Sequence, residues 1–275
     1  LARKFVISPT KLRTYTACHA MYRLEYVDKV GRFYHRARAG HAFGHSLHRA
    51  LDTFHNAGGA EAVTVEDLAA TLESSWVSSG YQGTEHEEEY RDRARQILEA
   101  YHAAEVKARE EAPTVPPPTV FLTEKALRID LTPDVALTGR IDRVDEHHDG
   151  ALEVIDYKSG RETVAEEDVA HSLAMSVYQL LLKRKHPERR VFATLVALRT
   201  GARASNEQGD AEREELAAWC EETGEEIRTK DWENVLPVVN DHCPHCDFLP
   251  HCARFWRKQA RAGGPPVPEI ARGVY

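Results

Sequence analysis

The apolar positions of this chain change period partway along. In the first 111 residues they recur every three to four positions, as on one face of a helix. "SPTKLRTYTACHAMYRLEYV" opens with Ser8-Pro9, a helix-start signal, and Leu12, Tyr15, Met21 and Tyr22 give it an inward face. "AGHAFGHSLHRALDTFHNAGG" predicts a second helix, closed by Gly58 and Gly59. Residues 64–79 and 85–111 predict two more, the latter heavily charged. "APTVPPPT" then breaks the pattern as a linker. From Val120 the residues are those of strands. "TVFLTEKALRI", "VALTGRIDRVDE" and "ALEVIDYK" predict three in succession, rich in Val, Ile, Leu and Thr and separated by turn residues. A helix over Glu166–Lys185, an apolar central strand "VFATLVAL" and a helix over Asp210–Thr229 follow. Helices, three strands, helix, strand, helix is the order of an α/β fold: a central mixed sheet flanked by helices, in one domain over 1–275, with a helical insertion at 60–112.

The third strand ends unusually. In "EVIDYKSG" alternate side chains share a face, so Leu152, Val154, Asp156 and Lys158 point one way and Glu153, Ile155 and Tyr157 the other. Two opposite charges thus finish a buried strand. Fourteen residues earlier, "LTGRIDRVD" carries Asp142, which a hairpin would bring beside Asp156. Close carboxylates repel unless a cation lies between them, and an oxygen-rich set suits Mg²⁺ or Mn²⁺. Lys158 would then orient or deprotonate a water, or stabilise developing charge. His48 is a further candidate ligand, in line with His41 and His45 along one helical face; three such histidines also suit zinc, but no H-E-x-x-H pattern accompanies them.

A net charge of −8 argues against a uniformly basic nucleic-acid binder, yet the charge is unevenly spread. Residues 1–50 carry ten Lys or Arg against Glu25 and Asp28; residues 51–125 carry six against fifteen acids; beyond Cys252 the chain is basic again. If the ends meet, they form a basic face. Nothing in the sequence is long and apolar enough for a membrane span, and residues 1–15 have no signal-peptide core, so a cytoplasmic protein without a membrane partner is expected.

Of five cysteines, Cys243, Cys246 and Cys252 form C-x₂-C-x₅-C, while Cys18 and Cys220 stand apart. In a cytosolic protein such spacing reads as metal binding. Zinc could take the three thiolates with His242, His245 or His251, whereas a 4Fe–4S cluster prefers four thiolates; spacing leaves both open.

Taken in order, "GHSLHRALD", "GRIDRVD", "EVIDYKSG" and a following helix with a tyrosine resemble the motifs of the PD-(D/E)XK nuclease superfamily in its RecB-like branch. The resemblance implies a restriction-endonuclease-like core. It implies Mg²⁺ or Mn²⁺ held by His48, Asp142, Asp156 and the backbone carbonyl of Tyr157, with Lys158 as catalytic lysine and Tyr178 supporting the site. The family's glutamine four residues before that tyrosine is Ala174 here, with Gln179 nearby. The layout of Cys18 ahead of the histidine motif and a cysteine trio near the end is similar to AddB-type and CRISPR-adaptation nucleases. It implies that Cys18, Cys243, Cys246 and Cys252 hold a 4Fe–4S cluster that staples 1–30 to 240–262, leaving Cys220 as a core residue. The implied function is metal-dependent hydrolysis of DNA in repair, recombination or CRISPR adaptation, by an exonuclease acting on single strands, alone or beside a helicase. Arg13, Arg23, Arg254 and Arg257 are candidate phosphate contacts along the stapled seam. The rival from another class is a non-catalytic DNA-binding or scaffold subunit of a helicase–nuclease complex.

Overall fold

The computed structural model describes residues 4–112, 114 and 116–274. Its elements run β1 (Phe5–Ile7), α1 (Pro9–Ala17), α2 (His19–Tyr22), α3 (Ala39–Asn56), α4 (Val65–Ser75), α5 (Thr84–Glu111), β2 (Thr119–Asp130), β3 (Val135–Glu146), β4 (Leu152–Lys158), α6 (Glu166–Ala170), α7 (Leu173–Lys185), β5 (Val191–Ala197), β6 (Ala202–Asn206), α8 (Asp210–Thr229) and α9 (Leu249–Arg261). They build an α/β fold on a mixed six-stranded sheet, as the change of period predicts. None of the helices described is long and apolar enough to cross a membrane.

Two predicted helices are each broken in two. The first stops at Cys18, whose extended backbone caps both α1 and α2, and whose Sγ accepts the Met21 N–H. No Gly or Pro marks this break. The second is interrupted at His171, and Ser172 starts α7 by accepting the Met175 N–H. Three elements escaped the sequence reading: the three-residue β1, the edge strand β6 and α9. By contrast α3 ends as predicted, with Gly58 in the left-handed region at φ 104°.

The sheet order is β1-β3-β4-β5-β6, with β2 also paired to β3. β2 lies antiparallel along nearly the whole of β3. The other edge of β3 is therefore shared: β1 pairs with Val135–Leu137 and β4 with Arg143–Glu146. Residues 138–142 lie between the two and pair with neither, which opens a split in the sheet. Gly139 sits in the split because a Cβ there would come within 2.7 Å of the Tyr178 ring.

Each face of the sheet carries its own core. On one, Leu152, Val154, Leu137 and Leu195 pack with Leu12 of α1, Leu180 and Leu181 of α7, and Ala217 and Cys220 of α8. On the other, Ile155, Tyr157, Val196 and Leu198 pack with Leu47, Leu51 and Phe54 of α3, Leu68 and Leu72 of α4, and Ile97 and Leu98 of α5. Residues 60–112 thus cover one face of the sheet with apolar side chains.

That second core encloses a polar knot. Arg143 makes paired hydrogen bonds to Asp145 at 2.6 and 2.5 Å, and its Nη1 donates to His55 Nε2 at 2.7 Å. The Tyr101 hydroxyl lies 3.0 Å from the same nitrogen. Arginine only donates, so His55 must accept and stay neutral, with its proton on Nδ1. Burial, then the charges of Arg143, Arg109 and Arg203, drive the His55 pKa down to about 2. Below the unfolded-state value near 6.5 the unfolded chain binds a proton here that the folded chain refuses. Stability should therefore fall as the pH drops, by about 2 kcal/mol between pH 6.5 and pH 5 from this residue. Urea unfolding across that range should show a shallower pH slope for His55→Gln than for the natural chain; equal slopes would remove His55 as the cause.

Candidate metal centre and cysteine seam

The split in the sheet is where the charged residues meet. Arg143 pairs with Ile155, so one further step along the register sets Asp142 opposite Asp156. Here the strand ladder is replaced by a side chain, as the Tyr157 N–H donates to Asp142 Oδ2 at 3.1 Å. α3 crosses at this level and brings in His48. Its Nδ1 lies 3.2 Å from Asp142 Oδ2, and its Nε2 lies 3.0 Å from the Tyr157 carbonyl oxygen. Both neighbours accept, so only imidazolium satisfies both nitrogens. Burial opposes that charge, but the hydrogen bond to Asp142 and the charges of Asp142, Asp156 and Glu124 outweigh it and raise the His48 pKa. A metal ion taken at this nitrogen must displace its proton.

Asp156 is buried, 8% exposed. Burial and the charge of Asp142 raise its pKa, against the pull of Lys158 and His48. Lys158 Nζ stands 2.6 Å from Asp156 Oδ2, yet that oxygen has no partner with hydrogen-bond geometry: the contact is a charge pair only. A buried carboxylate oxygen left in this way beside a second carboxylate and a histidine fits a hard divalent cation.

Glu124 joins the group and was not singled out in the sequence. It lies on β2 at φ 42°, a left-handed kink within a strand, and its Oε2 accepts from Arg140 Nε at 2.6 Å. His48, Glu124 and Asp142 each offer a ligand atom within 4.8 Å of the other two. An acid in the middle of a polar strand carries no sequence signal of this kind; only the kink and the pairing with β3 reveal it.

Tyr178 on α7 is half-buried, and burial followed by the charges of Asp156, Asp142 and Glu124 raises its pKa, which places it beside the same group. Gln179 turns elsewhere: it is 1% exposed, and its Oε1 accepts the Gln208 N–H at 3.0 Å. It anchors the approach to α8 and does not stand in for the residue at Ala174. His41 and His45 are exposed on α3, and the group of close ligand atoms includes neither.

Tyr157 links this site to the knot across the sheet. Its amide and carbonyl hold Asp142 and His48, while its hydroxyl lies 3.3 Å from Tyr101 and 3.4 Å from Arg143 Nη1.

The two ends of the described chain meet elsewhere. Tyr22 stacks on Trp232 at 5.1 Å, Asn240 Nδ2 donates to the Ala17 carbonyl, and Arg23 donates to the carbonyls of Glu233 and Val235. Cys18, Cys243, Cys246 and Cys252 line one small cavity with Met21, Pro237 and Phe248. Burial, then the neighbouring thiols, push Cys252 up to about 12, and burial raises Cys246 as well. The Asn240 N–H points at Cys243 Sγ, as the Met21 N–H does at Cys18. Cys220 is fully buried in the core between sheet and α8.

Arg23 also pairs with Asp28 and so braces the seam, while Arg257 donates to the Val274 carbonyl and ties α9 to the residues that follow it. Arg13 and Arg254 have no acid partner among the described residues.

A sequence profile of the PD-(D/E)XK nuclease superfamily matches residues 6–253. The chain belongs to this superfamily of nucleases, whose members use divalent metals, and DNA follows as its substrate. A search of curated proteins gave no significant match. Among solved structures, one described as the crystal structure of SSO0001 is 14% identical, with a TM-score of 0.30, and the alignment covers 60% of this chain and 76% of that one.

Proposed function

We propose that this chain is a Mg²⁺- or Mn²⁺-dependent deoxyribonuclease that degrades single-stranded DNA from its ends, and that a 4Fe–4S cluster joins its terminal segments. The observation that carries the first part is the buried carboxylate of Asp156, whose Oδ2 meets only the Lys158 ammonium, beside Asp142 and His48. Asp142, Asp156 and His48 would hold the ion with the Tyr157 carbonyl; Glu124 lies within 4.8 Å of His48 and Asp142 as a further donor, in a group that does not include Asp156. Bound there, the ion supplies Lewis-acid polarisation of the scissile phosphate and lowers the pKa of a water. Lys158, beside Asp156 and a third exposed, is placed to orient that water or to neutralise charge on the phosphate. Tyr178 closes the side of the site formed by α7. A scaffold subunit that only gripped DNA would have no use for a buried acid facing a second, half-buried one.

Support for the cluster lies in the donor set. Four thiols from both ends of the chain line one cavity, and backbone N–H groups point at two of the sulfurs.

The test is incubation of end-labelled single- and double-stranded DNA with Mg²⁺, Mn²⁺ or EDTA. Loss of the single strand with either metal and none in EDTA is expected. No cleavage with any divalent ion would overturn the reading. A brown protein with absorption near 400 nm distinguishes iron–sulfur from zinc.

A further inference from the structure

Ion pairing divides the arginines of this acidic chain sharply by position. Every described arginine between residues 51 and 250 has an acid partner except Arg93, which lies against Tyr90. Outside that range only Arg23 and Arg38 do, among the described residues. In a chain of net charge −8, arginines without acids cluster where a polyanion could neutralise them.

Within that unpaired set stands one conspicuous apolar side chain. Phe33 is 70% exposed, and the Arg32 guanidinium lies over its ring at 4.6 Å. Arg36, three residues on, is exposed and has no acid partner among the described residues. The tight turn that carries Phe33 is held on both sides. Gly31 is buried at its base, where a Cβ would meet the Glu25 carboxylate at 2.3 Å. Tyr34 turns the other way, packs on Phe248 and lies 3.1 Å from His251 Nδ1. Arg38 fastens the end of the loop to Asp247 at 2.6 Å. The next residue begins α3, and His48 follows about 14 Å along its axis.

An aromatic ring held out on a fixed turn, sandwiched with a guanidinium and flanked by uncompensated positive charge, has the chemistry of a base-stacking platform. We infer that Phe33 and Arg32 stack an unpaired nucleobase of the DNA strand on its way to the split in the sheet, with Arg36 on an adjacent phosphate. The bases of a duplex are already stacked on one another, so the platform selects single strands. This inference rests on the reading of the protein as a DNA nuclease and adds how the substrate is chosen.

The test uses the full chain carrying Asp156→Asn, so that DNA stays intact. Fluorescence anisotropy is read with a labelled 20-nucleotide oligothymidylate and with an abasic strand of equal length. Phe33→Ala should weaken oligothymidylate binding about 5- to 150-fold and leave the abasic strand unaffected, while Phe33→Trp keeps most of the affinity. Arg36→Ala should lower affinity for both strands and reduce the salt slope by about one. Unchanged oligothymidylate binding by Phe33→Ala overturns the platform alone. Equal affinity of the parent chain for the two strands does the same, since the bases would then contribute nothing. If the parent binds neither strand, the nuclease reading falls together with the platform. Thermal unfolding of Phe33→Ala matching the parent confirms that any loss is local.

Discussion

Asp156→Asn is expected to abolish cleavage, by a thousand-fold or more, while making the protein without added metal more stable. The first effect follows from removing one of the carboxylates that would hold the ion, equivalent to roughly 4 kcal/mol of the barrier. The second follows from the geometry. Asp156 is buried against Asp142, and its Oδ2 gains no hydrogen bond in return. The amide removes the like-charge contact and still presents a carbonyl oxygen toward Lys158. A rise in Tm of a few degrees is expected in EDTA, and the gain that Mg²⁺ or Mn²⁺ gives the natural chain should disappear in the variant. Paired thermal scans with and without metal measure both. Retained cleavage, or an unchanged response to metal, would remove Asp156 from the site.

Cys18→Ser should be strongly destabilising. Cys18 and Cys243 stand about 225 residues apart, and a link closing a loop of that size contributes about 5 kcal/mol by restricting the unfolded chain. For a domain of this size that corresponds to a Tm lower by roughly 10–20 °C. The absorption near 400 nm should vanish with it, because three thiolates remain where four are needed. Cys220→Ser keeps its colour, since that thiol lies in the core beneath α8. If Cys18→Ser kept its iron and its Tm, the fourth ligand would have to be sought among His242, His245 and His251.

The elements that could be read from the sequence are those where several signals coincide. Asp156 and Lys158 end an apolar run, the preceding strand lies a short turn away, and β4 was therefore legible down to which side chains share a face. The elements that could not be read are short or carry signals of another kind. β1 has three residues, too few for any period, and β6 is "ARASN", with no β-branched or aromatic residue. α9 is crowded with Cys, His and Arg, although Leu249, Ala253 and Trp256 do follow a helical spacing. Glu124 was hidden for a different reason. Its place in the site depends on a left-handed kink and on cross-strand pairing, and neither is encoded locally. The arginines show the same limit: composition located the basic ends, but only the ion pairs distinguish Arg23, which braces the seam, from Arg13 and Arg32, which have no acid partner among the described residues.

The seam also sets an order in time. α1 and α2 find their aromatic partner in Trp232, and Ala17 and Arg23 find theirs beyond residue 230. On a ribosome adding about 5–20 residues per second, the first helices wait on the order of 10–45 s before the chain that completes them emerges. Through that interval their apolar face and the Cys18 thiol stand open to chaperones and to oxidants. The nascent chain is thus most vulnerable at α1 and α2, and their completion is governed by the residues beyond 230.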